Sequence, residues 1–426
     1  MPGIEVTTVE ISKITLPNGV RIVSEPLPHV KSVSFGIWLA NGSRHEGSNE
    51  HGYAHFLEHM CFKGTQTRSV ADIANEIDDL GGNVNAFTGK EQTCFHAKVL
   101  DEYLPRLIDL LSDMVLNPKL DRADAANERK VILDEIDMYE DTPEEVASEK
   151  LFKCVYAKSD LEHAVLGTKT EVQNTTADAL IKYHKKRFLG GNIVVALAGA
   201  YTQDAIKQIS DIFSEVPAGV NKVGKPPNFH SGIRIKSKPS EQNHVAVGNP
   251  SVSLLDNERF AFQLLANILG GGMSSRLFQK LREDLGLCYS VYSYIAAHTD
   301  SGFIGSSIAL SPESEAKALQ VYRDEIIRLL DSGVTELELA RAKAQCKSTL
   351  VMGLEATNNR MQRLAGSELV YGKAIPVEET IASCMAVTRS DVLNAIRKAY
   401  GEDELAIAAV GAIHKEEWYQ RRLEII

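Results

Sequence analysis

The 426-residue chain has no long hydrophobic run. Its most apolar short stretches, residues 193–200 (IVVALAGA) and 405–413 (LAIAAVGAI), fall far short of the roughly 18 residues that span a bilayer. They read as buried strands, and no membrane partner is expected. There is no basic excess either. The 46 Lys+Arg against 57 Asp+Glu leave a net charge of −11. Nucleic acid requires a basic surface, so it is excluded as a partner class. The six cysteines (Cys61, Cys94, Cys154, Cys288, Cys346, Cys384) form no CxxC pair. They read as free, mostly buried thiols of a reducing compartment. The opening MPGIEVTTVEISK has no apolar signal segment and no Arg-rich amphipathic start, and the strand-like GVRIV follows at 19–23. The expected location is the bacterial cytoplasm, with a trimmed mitochondrial-matrix chain as the alternative.

What remains is an ordinary globular composition, 44% hydrophobic and 24% charged. At about 150 residues per domain, the length suggests two or three domains. A Pro/Gly/Lys/Asn stretch at 216–232 has no hydrophobic period and reads as an interdomain linker. It separates a domain at 1–215 from one at 233–426, and the two flanks rhyme. KKRFLGGNIVVALAGAYTQDAIKQI and IRKAYGEDELAIAAVGAIHKEEW share the order helix end, apolar strand, Gly turn, helix. LIDLLSDMVLNPKLDRADAANERKVIL and IIRLLDSGVTELELARAKAQCKSTL share a helix–break–long helix pattern. The expected fold class is α+β: two homologous α/β sandwich domains, each a sheet with packed helices. Aligning Leu133 with Leu350 sets Gln345 opposite Glu128 and Met352 opposite Glu135, so two acids of the first copy have no acidic counterpart in the second.

The segment 52–65 (GYAHFLEHMCFKGT) contains His55, Glu58 and His59 in the spacing H-x-x-E-H. Residues four apart share a helix face, so His55 and His59 can present two imidazoles to one ion. Glu58 borders the same face and need not be a ligand. In a chain of this composition the spacing arises by chance about 0.04 times, even if any acid counts as Glu. A catalytic zinc site needs a third protein ligand. The helix-like stretch 127–145 offers Glu128 and Glu135, nearly two turns apart on one face, beside apolar Val131, Ile132, Ile136 and Met138. The same two acids also suit the solvated rim of an acidic helix. His51, four before His55, makes a rival pair with it near the expected helix start.

HFLEHM followed by FKGT, with two glutamates seven apart some 70 residues on, resembles the pitrilysin family of inverzincin metallopeptidases. The similarity is greatest to the short two-domain branch that includes mitochondrial processing peptidase. LPNGVRIV, GGNVNAFTGKEQT (81–93) and LGGGMSSRLFQKLREDLGLCYSV (269–291) extend the resemblance over essentially the whole chain. It implies a zinc endopeptidase with one Zn2+ per chain, ligands His55, His59 and Glu135, and Glu58 as general base. Glu128 matches the family's additional acid on the third-ligand helix and is expected to join Glu58 in the catalytic machinery by orienting the site; His51 matches a position that is not a ligand. The resemblance also implies that the strand after Gly81-Gly82, within 83–98, adds a peptide substrate to its edge and places Asn85 and Ala86 at it. Arg282 and Tyr289 match a substrate- and carbonyl-contacting pair from the other half of the clamshell in long members. In a two-domain chain that pair acts in trans, so a homodimer with two equivalent sites is the economical arrangement. Unfolded peptides or presequence-like segments are the expected substrates. A non-catalytic partner subunit of the same fold, or a maturation protease for one modified peptide, are the alternatives.

Overall fold

A computed structural model describes residues 11–221, 224–402 and 404–423. The order in the first half is β1 (Ser12–Thr15), β2 (Arg21–Pro26), β3 (Ser32–Leu39), α1 (Tyr53–Cys61), α2 (Val70–Asp79), β4 (Asn83–Thr88), β5 (Thr93–Leu100), α3 (Leu104–Leu116), α4 (Arg122–Asp141), α5 (Pro143–Val155), α6 (Lys169–Asn174), α7 (Ala177–Arg187), β6 (Ile193–Gly199) and α8 (Gln203–Phe213). The second half runs β7 (Gly232–Ser237), β8 (Asn243–Pro250), α9 (Arg259–Gly270), β9 (Cys288–Ala297), β10 (Gly302–Leu310), α10 (Glu315–Ser332), α11 (Glu336–Gly353), α12 (Thr357–Tyr371), α13 (Val377–Ala386), α14 (Arg389–Tyr400), β11 (Ala406–Gly411) and α15 (Glu416–Leu423).

The duplication read from the sequence is visible in the sheets. The first has the order β1-β2-β6-β3-β5-β4, and the second β7-β11-β8-β10-β9. In each, one parallel pair (β2/β6, β7/β11) is followed by antiparallel neighbours. Both apolar stretches singled out above, β6 and β11, are interior strands buried along their whole length.

The compact units do not follow a simple cut at the linker. Val351–Ile375 belongs with the first unit, and Asp137–Glu162 with the second. Helix α12 therefore covers one face of the first sheet, where Met361, Leu364 and Ala365 pack on Val23, Trp38, Cys94, Val194 and Ala196. Polar contacts fix it: Arg21 with Glu368 at 3.4 Å, and Ser34 with Thr357 at 2.9 Å. Alternate residues of the same strands, such as Ile22, Phe35, Ile37 and Val195, face the main core with α1 and α3. In the second unit α5 plays the matching part, packing Leu151 and Val155 on Ala246, Phe303 and Ala408. Each fully buried Leu or Val of these faces contributes about 1.5–3 kcal/mol. The exchange was not legible locally, because α5 and α12 carry ordinary amphipathic patterns that name no partner sheet.

Two local expectations need correction. The single strand read within 83–98 is a hairpin: β4 and β5 pair antiparallel, closed by the Gly89 N–H on the Gln92 carbonyl at 2.8 Å. The helix read through 127–145 ends at Asp141, since Pro143 starts the next one. Of the four apolar residues beside the two acids, Ile132 and Ile136 are buried, but Val131 and Met138 are 50% and 71% exposed. They stand on the opposite stripe of a long helix. Among the described residues no helix is long and apolar enough to cross a membrane.

Candidate metal centre

Helix α1 forms because Ala54, Phe56, Leu57, Met60 and Cys61 make an apolar stripe that packs into the first core. Its N-cap, Gly52, has φ +85°, and a Cβ there would meet the Leu166 carbonyl oxygen at 2.8 Å. Glycine is required on both counts. Having no side chain, Gly52 cannot cap the helix. The buried Glu46 does so instead, accepting from the Gly52 N–H at 2.9 Å and the Ala54 N–H at 2.7 Å. Burial pushes the Glu46 carboxyl up to about 8 against those two donors.

From this helix His55 and His59 project together, with their Nε2 atoms 3.2 Å apart. Helix α4 brings Glu135 Oε2 to 3.6 Å from each of those nitrogens. An ion bound tetrahedrally with bonds of about 2.0–2.1 Å needs ligand atoms about 3.3 Å apart, so the triangle fits one zinc-sized cation. Among the described residues this trio is the group of His, Cys, Asp and Glu side chains close enough to share an ion. Burial pulls His55 down to about 3, which keeps its imidazole neutral at physiological pH, the state a metal ligand requires.

Glu128, 5% exposed, lies behind His59. Its Oε1 is 2.8 Å from His59 Nδ1, and its Oε2 is 2.8 Å from the Lys63 ammonium. A carboxylate on Nδ1 holds that nitrogen as the N–H and leaves Nε2 bare for an ion. Glu58 stands on the outer edge of the same helix face. Burial raises its pKa above the ordinary range, opposed by the Thr88 hydroxyl, which donates to Oε2 at 2.5 Å.

The other sequence-derived candidates are placed as follows. Asn85 and Ala86 lie on β4, the edge strand of the first sheet, and Asn85 Oδ1 accepts from the Ala86 N–H at 2.9 Å. Arg282 and Tyr289 are exposed residues of the second unit. Arg282, in a π-helical turn (Phe278–Asp284), stacks over Phe278, and Tyr289 is on β9. His51 sits before the helix, its ring stacked on His163 at 3.7 Å, and is not in the metal trio. Gln345 and Met352 are exposed on α11, so the second copy offers no ligands there. Three residues escaped the sequence reading: Lys63, Thr88 and Glu46. The i,i+4 spacing of Lys63 from His59 carried a signal, whereas Thr88 and Glu46 reach the site only through tertiary pairing.

Residues 21–169 match insulinase, peptidase family M16, and residues 174–346 match the peptidase M16 inactive domain. An uncharacterized zinc protease of Bacillus subtilis, YmxG, is 37% identical over 92% of this chain and 96% of its own. An uncharacterized zinc protease of Streptomyces coelicolor is 37% identical over 92% of this chain and 87% of its own. Among solved structures, a peptidase M16 inactive domain from Pseudomonas fluorescens superimposes with a TM-score of 0.87 at 22% identity, over 96% of this chain and 99% of that one. A protease from Helicobacter pylori gives 0.88 at 20%, over 95% and 99%. These two show the fold. A metal-type trio in the first copy, none at the matching positions of the second, and relatives similar along nearly the whole length together place the chain in peptidase family M16, as a metalloprotease.

Proposed function

We propose that the protein is a zinc-dependent endopeptidase acting on extended, unfolded peptides such as presequence-like segments. The observation that carries this reading is the convergence of His55, His59 and Glu135 beside Glu58 and an open sheet edge. His55, His59 and Glu135 would hold one ion per chain. When bound, zinc supplies Lewis acidity toward a peptide carbonyl and a water molecule. Glu58 takes the proton of the attacking water and delivers it to the leaving nitrogen. Its raised pKa suits both halves of that transfer, and the Thr88 hydroxyl fixes one carboxyl oxygen while leaving the other free.

Strand β4 has β5 on one side only, so its outer backbone groups can pair with a peptide strand. Recognition through main-chain hydrogen bonds favours unfolded segments over any particular side chain. The Asn85 amide now covers the Ala86 N–H, and an arriving peptide carbonyl would replace it. Arg282 and Tyr289 would serve the zinc site of a partner copy in a homodimer, offering donors to the developing oxyanion.

The test is metal analysis combined with cleavage of unfolded peptides before and after chelation. Cleavage is expected to vanish on chelation and return with zinc. Glu58→Gln should keep its zinc and lose about 10²–10⁴-fold in rate. Cleavage indifferent to chelation would overturn the reading. Mixed dimers of His55→Ala and Arg282→Ala chains should recover part of the activity; none in correctly formed mixed dimers would refute the sharing in trans.

A further inference from the structure

Cys346 and Cys384 lie far from the metal trio in sequence and have no part in the chemistry above. Both belong to the second unit. Their sulfurs are 2.9 Å apart, with Cys384 donating its S–H to Cys346. A disulfide bond is about 2.05 Å long, so less than 1 Å of approach separates the two thiols from a bond. Cys346 is part-exposed on α11, while Cys384 is 2% exposed on α13 and belongs to the second core. One cysteine of the pair is therefore part-exposed at the edge of the second core, and its partner is buried in it. Lys343 ties the same two helices, its ammonium donating to the Met385 carbonyl at 2.7 Å. We propose that Cys346 and Cys384 form a reversible redox site, a dithiol that peroxide converts to a disulfide linking α11 to α13.

The order of attack follows from the geometry. Cys346 is the part-exposed thiol that peroxide meets first, and accepting the Cys384 S–H favours its thiolate, so Cys346 makes the attack. It attacks one oxygen of hydrogen peroxide. An S–O bond forms, the O–O bond breaks, and the departing hydroxide takes up the proton released by Cys346 to give water. The Cys384 sulfur then attacks the Cys346 sulfenic sulfur. The S–S bond forms, the S–O bond breaks, and a second water leaves with the Cys384 proton. Two electrons pass from the thiols to peroxide, and a small dithiol reductant returns them. Cys61 and Cys94 do not compete, because both are buried and burial pushes their thiols up, away from the reactive form.

The location gives the bridge a consequence. The chain leaves the second unit after Leu350, lends α12 to the first sheet, and returns at Pro376. A Cys346–Cys384 bond would close that whole excursion into a covalent loop at its root in the second unit. Closing a loop of this length removes unfolded-state entropy and stabilises the fold.

The experiment treats the intact protein with a modest excess of hydrogen peroxide, alkylates the remaining thiols and maps the peptides by mass spectrometry. A linked Cys346–Cys384 peptide is expected, with two fewer alkylated thiols, reversal by dithiothreitol and a Tm rise of roughly 5–10 °C. Cys346→Ser, at a part-exposed position, should keep the fold and lose both the linked peptide and the Tm rise. The proposal is overturned if Cys346 proceeds to sulfinic acid while Cys384 stays a free thiol. It is equally overturned if no linked peptide forms, or if Cys346→Ser shows the same Tm rise on oxidation.

Discussion

Removing the Glu128 carboxylate perturbs the candidate site while leaving all three ligands in place. Both of its oxygens are engaged, one by His59 Nδ1 and the other by Lys63, each at 2.8 Å, and the side chain is almost fully buried. Losing such an orienting partner costs 10–100-fold in metal affinity, which is about 1.4–2.7 kcal/mol. Glu128→Ala should fall at the upper end, because His59 is then free to turn its ring or to carry its N–H on Nε2 instead of Nδ1, and Lys63 loses its counter-charge. Glu128→Gln should cost about tenfold. An amide has one acceptor oxygen, so its NH2 must confront either His59 Nδ1–H or the Lys63 ammonium. Lys63→Ala leaves the His59 contact intact and should cost only a few-fold. Since Lys63 acts through Glu128, adding Lys63→Ala to Glu128→Ala should cost almost nothing more. The assay is zinc competition against a chromophoric chelator at fixed pH and ionic strength. Thermal unfolding with and without zinc checks it, because the stabilisation by the ion tracks the same affinity. A folded Glu128→Ala protein that binds zinc within twofold of the parent would refute the assignment.

Gly52→Ala should destabilise the protein by about 1–3 kcal/mol in thermal unfolding and weaken zinc binding, since it forces a side chain into positive φ and against the Leu166 carbonyl; a neutral effect would show that the start of α1 is not fixed as described. Ala86→Pro, which removes an edge N–H, should raise KM for extended peptides more than tenfold with zinc content unchanged, whereas an unchanged KM would remove β4 from the substrate site. Glu338 gives the pH test. Burial pushes its carboxyl up, but Arg276 at 2.6 and 2.9 Å and the Thr335 N–H and hydroxyl outweigh it and hold it at about 2, below the ordinary 4.5. A lowered pKa stabilises the fold above the unfolded value and loses that contribution as pH falls from 4.5 through 2. For a partly exposed group it is about 1–2 kcal/mol. The stability gap between the parent and Glu338→Gln, measured by denaturant unfolding, should therefore be full at pH 7 and shrink below pH 4.5; a gap independent of pH would contradict the pairing.

The local parts of this protein were written plainly in its sequence. His55 and His59 share a helix face because residues four apart on a helix do, and β6 and β11 read as buried strands because such apolar stretches are too short for most helices and are closed by a Gly turn. The doubling of the fold was legible in the repeated order of elements, and the absence of acids at Gln345 and Met352 pointed to the first copy as the one carrying the candidate site. Only the tertiary structure decided that Glu135 meets the imidazole pair while Glu128 turns behind His59, since both sit on one helix face and spacing alone leaves their roles open. It alone decided that α5 and α12 cover the sheets of the opposite halves, that β4 is an edge, and that Thr88 reaches Glu58. The reason is one of range. Periodicity fixes which way a side chain faces within its own helix or strand, whereas the choice of partner is a competition among distant apolar surfaces that no short window of sequence contains.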